Sequence, residues 1–384
     1  MTEPLSHLLG VAICVGCVGL GLLWKRLPAW LLLPILVIKL SIPVTYFAFY
    51  YDGTWNFLDD FTYYDESANL VALGYTPYEL LTTDEGQKVV TSVSGSRHTF
   101  YYVVNTLAIQ LFGDFYSSGV FFNIAISIAS ACLFAKSMER LGFEPTYCRW
   151  LLAFQLLHWE YLSWTSLINA KDTVVELLIV TTLYHVIRWQ QQHSLLSAIM
   201  MIISIYLLTT VRLYVPPVMF AGITLATVIS SKDIRAYVIL LAGSAASLYY
   251  LRNYSQHLNS LRFDDVIYGS IRFVLTPRPW DISVEKSFLF WPSIFQWSTM
   301  PLALFGAIHV WRSRPAVRIF LCVLLAFVLF YGVFIYDPSP RLRLQIAGLF
   351  ALTQFHCIWT VFHWLFQRNE SWNLDLAVNH LERA

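Results

Sequence analysis

Residues 51–81 read YDGTWNFLDDFTYYDESANLVALGYTPYELL and open the longest polar interval of the chain, 51–98. Almost everything on either side of it is apolar. Asp52, Asp59, Asp60, Asp65 and Glu66 crowd its first part. Asp60, Tyr64 and Ala68 are four apart and share one face of a helix. Asp60 stands near the start of that helix, where a carboxylate caps free backbone N–H groups and meets the positive end of the dipole. A solvated acidic loop with one capping Asp fits the same residues, so the rest of the chain has to weigh between the two.

A soluble domain is roughly 25% charged. This chain of 384 residues is 13% charged, 57% hydrophobic and 16% aromatic. Trp and Tyr favour membrane–water interfaces. The composition describes an all-α, polytopic membrane protein. A β-barrel requires short alternating strands rather than apolar runs of about 20 residues. The net charge of +1 argues against nucleic acid as a partner. The six cysteines, at 14, 17, 132, 148, 322 and 357, lie in or beside apolar runs and read as free, buried thiols. The first apolar run lacks a basic leader and a clear cleavage site, so no cleavable signal is expected.

Apolar runs suggest about eleven spans, near 5–23, 29–50, 115–136, 149–165, 173–190, 194–211, 214–230, 236–251, 288–311, 316–336 and 344–366. They form one transmembrane domain over 1–366, with polar loops at 51–98 and 252–287 and a short tail at 367–384. Residues 99–112, TFYYVVNTLAIQLF, are too short to span and read as an interfacial or re-entrant helix in the first loop. No internal repeat is visible. Basic residues in short loops set orientation. Lys25, Arg26, Lys136, Arg140, Arg188, Lys232, Arg235, Arg312, Arg314, Arg318 and Arg368 fall on one side, which is then cytoplasmic. The N-terminus is expected outside and the C-terminus inside.

That count gathers the remaining charged clusters on the outer face: the 51–98 loop, Lys171 and Asp172, Arg212, the 252–287 loop, and Asp337 with Arg341 and Arg343. Outer basic residues run against the usual bias. An anionic ligand explains them together, whereas a local carboxylate or a lipid headgroup explains each one alone.

Several of these residues can carry chemistry. A sugar hydroxyl is a poor nucleophile at neutral pH, and a nearby carboxylate such as Asp60 or Asp59 can take its proton as it attacks. A phosphate-linked lipid is a good leaving group whose charge calls for fixed cations, Arg above all. Lys171 and Asp172 head a span in SLINAKDTVVELL, with Glu176 one turn on; they either neutralise each other, cap the helix, or serve a ligand. Arg212 either serves the ligand or snorkels to headgroups. Arg278 is fixed between Pro277 and Pro279 beside Trp280, as a stiff phosphate site or an interfacial anchor. Arg341 and Arg343 can both reach one phosphate from an extended loop. Lys39, mid-span, is costly unless paired, for instance with Glu160. His98 reads as a bystander, and no closely spaced metal-ligating histidine motif is present.

Taken in order, these features resemble the GT-C superfamily of membrane glycosyltransferases. The family's first outer loop carries an acidic pair followed by Tyr and Ala at four-residue steps, then Gly and Pro-Tyr. Here those are Asp59 and Asp60, Tyr64, Ala68, Gly74, and Pro77 with Tyr78. A Lys-Asp at the head of a middle span is matched by Lys171 and Asp172, and an Arg at the head of the last spans by Arg341 or Arg343. The resemblance runs along the whole chain as an order of features, without a large periplasmic domain. It implies a polyprenyl-phosphate sugar as donor and a glycan, glycolipid or protein as acceptor. Asp60 is then the general base, with Asp59 as its backup or as a metal or acceptor contact. Tyr64, Lys171, Asp172, Arg212, Arg278, Arg341 and Arg343 would bind substrate, and reaction would invert the anomeric carbon. Some members use a divalent metal and others do not. A bacterial inner membrane is the expected setting, in contact with membrane lipid. Two other classes share the pattern: an O-antigen-polymerase or ligase-like enzyme, dependent on Arg and His, and a non-enzymatic lipid or polysaccharide transporter, whose charges line a path through the membrane.

Overall fold

The computed structural model describes residues 3–51, 53, 59–95, 98–230, 265–333 and 340–381, with side chains for all of these except 285 and 367–381. Among the described residues the ordered elements are all helical. The expected span at 236–251 and the residues Asp52, Arg97, Lys232, Arg235, Arg252, Arg262, Asp264 and Asp337 lie outside them.

Helices α1 (Leu5–Leu23) and α2 (Ala29–Phe49) pack on each other and on α7 (Tyr116–Arg140). Leu8, Val11 and Val15 meet Ile35 and Leu36 over Val120, Ile124 and Ile128. The polar interval is not a loop but three helices: α3 (Asp60–Ala72), α4 (Pro77–Thr82) and α5 (Asp84–Val93). Thr76 starts α4 with a capping box, its hydroxyl accepting from Glu79 N at 3.2 Å while Glu79 Oε2 accepts from Thr76 N at 2.9 Å. Helix α6 (Thr99–Phe112) follows where a short apolar helix is expected, and it packs against α3 and α7.

The segment 149–165, read as one span, is two helices, α8 (Pro145–Leu156) and α9 (Trp159–Leu167). His158 between them is extended, with ψ near 136°, and its ring accepts from Glu160 N at 3.3 Å. A buried histidine thus starts α9 in the role usually held by Ser or Asp. Then come α10 (Asp172–Gln192), α11 (Leu195–Val211), α12 (Val215–Ser230), α13 (Val266–Leu275), α14 (Phe290–Ser313), α15 (Arg318–Val333) and α16 (Ala347–Leu381). A 3-10 helix, Pro340–Ile346, leads into α16, and α16 runs through most of the segment expected as a separate tail.

Among the described residues five helical stretches are long and apolar enough to cross a membrane: 5–23, 29–49, 116–140, 315–333 and 340–366. The figure of about eleven spans is therefore met only in part. The bundle buries polar side chains within its apolar core and exposes large apolar ones. Helix α7 buries Ser117, Ser118, Asn123, Ser127, Ser130 and Ser137, while Leu9, Ile13, Val37, Ile202 and Phe305 are exposed. This is the pattern of helices whose solvent is lipid.

Small residues set the closest helix crossings. A Cβ on Gly269 of α13 would collide with the carbonyl oxygen of Gly332 in α15, and one on Gly306 of α14 with that of Thr353 in α16. Backbones approach this closely only through glycine. The two seams lock α13 to α15 and α14 to α16.

Candidate functional site

The acidic pair divides at the start of α3. Asp59 is the residue before the helix and makes no side-chain capping bond. Its carboxylate instead reaches cations from two distant segments. Oδ2 lies 2.6 Å from Lys171 Nζ, and Oδ1 lies 3.3 Å from Arg341 Nη2. Asp60, one residue on, is 1% exposed and accepts a hydrogen bond from the Tyr116 hydroxyl at 2.5 Å. Neighbouring residues at a helix start point about 100° apart, so one carboxylate faces the charged cluster and the other the protein interior.

The buried stripe of α3 is Asp60, Tyr63, Ser67 and Leu70. It follows the i, i+3, i+7 spacing of a core-facing stripe, and it puts Tyr63 rather than Tyr64 in the site. The Tyr63 hydroxyl donates to Asp59 and accepts from Lys171, whose ammonium also lies 4.7 Å from the centre of the Tyr63 ring. Tyr64 lies at the edge of this stripe, where its hydroxyl donates to Asp114 at 3.0 Å. Tyr63 was legible from the spacing of the buried stripe; the four-residue step from Asp60 led to Tyr64 instead.

Lys171 is 1% exposed and closes the segment between α9 and α10. A network of amides and phenols holds that segment. Tyr101 donates to Asn169 Oδ1 at 2.6 Å, Asn169 Nδ2 to Asn105 Oδ1 at 2.6 Å, and Asn169 N to the Tyr116 oxygen at 3.2 Å. Tyr116 thus touches both Asp60 and the Lys171 segment. Nothing in the local sequence marks Asn169, because its partners come from α6 and α7.

Asp172, the first residue of α10, does not neutralise its neighbour Lys171. It is fully buried and takes Arg212 Nη2 at 3.0 Å and Arg341 Nε at 3.1 Å, with Gln345 Nε2 donating to it at 2.5 Å. Arg341 therefore bridges Asp59 and Asp172. Three cations, Lys171, Arg212 and Arg341, converge on two carboxylates, which leaves one positive charge in excess. Of the two acids, only Asp59 is substantially open, at 39% of its side chain against 0% for Asp172.

Burial alone would raise the Asp59 pKa, but Arg341 and then Lys171 outweigh it and hold the carboxyl well below the usual carboxylate range. The Tyr63 phenol is pushed well up by burial and by the Asp59 charge, so it remains a proton donor. His98 closes the rim. Its Nδ1 lies 2.6 Å from the Val211 oxygen, next to Arg212, and its ring packs edge-on against Tyr63 at 6.0 Å. Burial, then the Lys171 charge, lowers its pKa to about 4. Read as a bystander, it is in fact a neutral contact of the cluster.

Three expectations require correction. Arg343 does not share a ligand with Arg341. The segment is a 3-10 helix rather than an extended loop, and the two guanidiniums diverge. Arg343 is 2% exposed, pairs with Glu160 at 2.7 Å and donates to the carbonyls of Phe273, Val274 and Thr276. The acid whose charge Lys39 feels is Glu176 of α10 and not Glu160, which Arg343 holds. The Lys39 Nζ donates to Leu156 O at 3.4 Å and lies 5.7 Å from the centre of the Tyr161 ring. Arg278 stands apart from the cluster, 51% exposed and paired with Asp281 at 3.6 Å.

The site suits an anion more than a metal ion. Among the described residues no three His, Cys, Asp or Glu side chains gather into a metal site. The carboxylates Asp59 and Asp172 face the chain's own cations, so this donor set does not fit a divalent ion. Lys171 and Arg341, by contrast, are buried cations reached through one half-exposed carboxylate, Asp59, that an anion of higher charge can displace. Comparison with protein-family models, curated proteins and solved structures returned no match.

Proposed function

We propose that this chain is an integral-membrane glycosyltransferase that moves a sugar from a polyprenyl-phosphate donor to an acceptor, with inversion. The observation that carries the reading is Asp59 held between Lys171 at 2.6 Å and Arg341 at 3.3 Å in a partly open mouth. The donor phosphate competes with Asp59 for the same ammonium and guanidinium. As those cations turn to the phosphate, Asp59 loses the charges that hold its pKa down, and its proton affinity rises. Asp59 then takes the acceptor hydroxyl proton while that oxygen attacks the anomeric carbon. The bond between that carbon and the phosphate oxygen breaks, and the lipid phosphate leaves with its charge held by Arg341 and Lys171. Arg212 keeps Asp172 paired, so that Arg341 is free to turn between partners. Asp60, buried on Tyr116, positions the start of α3.

In this reading the cluster faces the outer side, about eleven helices span a bacterial inner membrane, the N-terminus is outside and the C-terminus cytoplasmic. The acceptor is a glycan, a glycolipid or a protein. The test is transfer of labelled sugar from polyprenyl-phosphate donors in membranes holding wild type, Asp59→Asn or Arg341→Ala. Loss in both, at equal protein level, supports the reading. Full activity of Asp59→Asn with loss in Arg341→Ala favours the arginine-dependent polymerase or ligase reading, for which the buried Arg212 and Arg341 speak. Lipid translocation with no new glycosidic bond favours a transporter, for which the deeply buried Lys39 speaks.

A further inference from the structure

Helices α14 and α15, joined through residues 314–317, leave between them a groove of about 580 Å³. Met300, Leu304 and Ile308 form one wall, Leu321 and Leu325 the other, and Phe350 of α16 the floor. Leu304, Ile308 and Leu325 are 61%, 44% and 45% exposed, so the groove opens sideways toward the surroundings of the bundle. Arg312 stands at its end. Beyond Arg318 lies a second cavity of about 450 Å³, whose lining includes the polar side chains Gln190, Gln191, Thr227 and Ser230. Arg318 lines this second cavity and stacks on Trp311, which lines the groove. Its Nε donates to Trp311 O at 3.3 Å, and its guanidinium lies 5.4 Å from the centre of the Trp311 ring.

The arginines here differ from those at the other end of the bundle. Arg212, Arg341 and Arg343 each hold a carboxylate. The ion pairs among the described residues include none of Arg312, Arg314 and Arg318. Helix α15 separates the two ends by about 24 Å at 1.5 Å per residue, since its last turn carries Tyr331, which donates to Gln345 beside Asp172. An apolar groove ending at Arg312, and a polar chamber linked to it through the contact of Arg318 with Trp311, match an amphiphile with an anionic head. Basic pockets between membrane helices bind such heads, and cavities of this size suit small ligands.

We propose that this is a site for an anionic diacyl phospholipid, with one acyl chain in the α14–α15 groove, the phosphate on Arg312 and Arg318, and the headgroup in the polar chamber. The proposal does not depend on the reaction assigned to the Asp59 cluster.

The test uses purified full-length protein in phosphatidylcholine bilayers, titrated with phosphatidylglycerol brominated on its acyl chains. The Trp311 signal is read as the difference between wild type and Trp311→Phe. Quenching at a low mole fraction of phosphatidylglycerol is expected. The double variant Arg312→Gln/Arg318→Gln should raise the half-quenching fraction about 30-fold, the factor carried by two arginines near a membrane surface. Ala307→Phe, which fills the groove without altering charge, should remove phosphatidylglycerol that co-purifies with wild type, counted by native mass spectrometry. Equal quenching by brominated phosphatidylcholine overturns the proposal, because the groove is then only wetted by bulk lipid. Displacement of phosphatidylglycerol from Trp311 by polyprenyl phosphate at equal mole fraction overturns it in favour of a carrier-tail site.

Discussion

Replacing Asp59 with Asn keeps the shape of the side chain and removes its charge. The cluster then holds Lys171, Arg212 and Arg341 against Asp172 alone, with Lys171 only 1% exposed. Breaking a fully buried ion pair costs about 3–5 kcal/mol, while an exposed pair contributes about 0–1. Asp59 is 39% exposed, so the cost to stability falls near the lower figure, about 1–2 kcal/mol, and the protein remains folded. Activity behaves differently. A general base contributes about 10²–10⁴-fold, and sugar transfer by Asp59→Asn should fall by that factor. Affinity for polyprenyl phosphate should rise, by up to about 10-fold, because Asp59 no longer competes for Lys171 and Arg341. Asp60→Asn keeps an acceptor for the Tyr116 hydroxyl and should lose less than about 10-fold. The assays are labelled-sugar transfer in proteoliposomes and binding of polyprenyl phosphate to detergent-solubilised protein. If Asp60→Asn is inactive while Asp59→Asn transfers and binds like wild type, the assignment from geometry is refuted.

Four further outcomes follow from the same contacts. Tyr63→Phe removes a hydroxyl that serves both Asp59 and Lys171; transfer should drop about 10-fold with the elution profile of the protein unchanged. Arg343→Met leaves Glu160 buried and unpaired, and should cost about 3–5 kcal/mol in detergent unfolding; Arg343→Met with Glu160→Gln should recover much of it, and no recovery would mean that the pair is not the source. His98 titrates near 4 when folded and near 6.5 when unfolded. The unfolded chain binds the extra proton between these values, so stability should fall as pH drops from about 6.5 toward 4, and His98→Gln should flatten that slope in thermal melts. Gly306→Ala places a methyl against the carbonyl of Thr353 and should cost about 1–3 kcal/mol, read in the same melts.

Much of the helical layout was legible because apolar runs and helix ends are local properties. The stretches 5–23, 29–50 and 194–211 match their helices within a residue or so. The break at His158 was hidden, since neither Pro nor Gly marks it and its cause is a histidine bonded to Gln354 across the bundle at 2.9 Å. The site divides in the same way. Lys171, Asp172, Arg212 and Arg341 stand out in sequence as charges in an apolar chain, and they converge in space. Arg343 and Arg278 stand out equally and do not, because only tertiary packing decides which carboxylate an arginine reaches. Tyr63, Asn169 and His98 are uncharged contacts, and their roles exist only through partners from other helices.

The five charged side chains of the cluster stand at positions 59, 171, 172, 212 and 341 of the chain. A ribosome delivers them in that order, and Arg341 comes 129 residues after Arg212. Until Arg341 emerges, Asp172 has Arg212 alone and Asp59 has Lys171 alone, two separate one-to-one pairs, and Arg341 is the side chain that joins them into one cluster. The cluster thereby doubles as a record of completion. A chain that stops before residue 341 holds two separate ion pairs, with no guanidinium shared between Asp59 and Asp172.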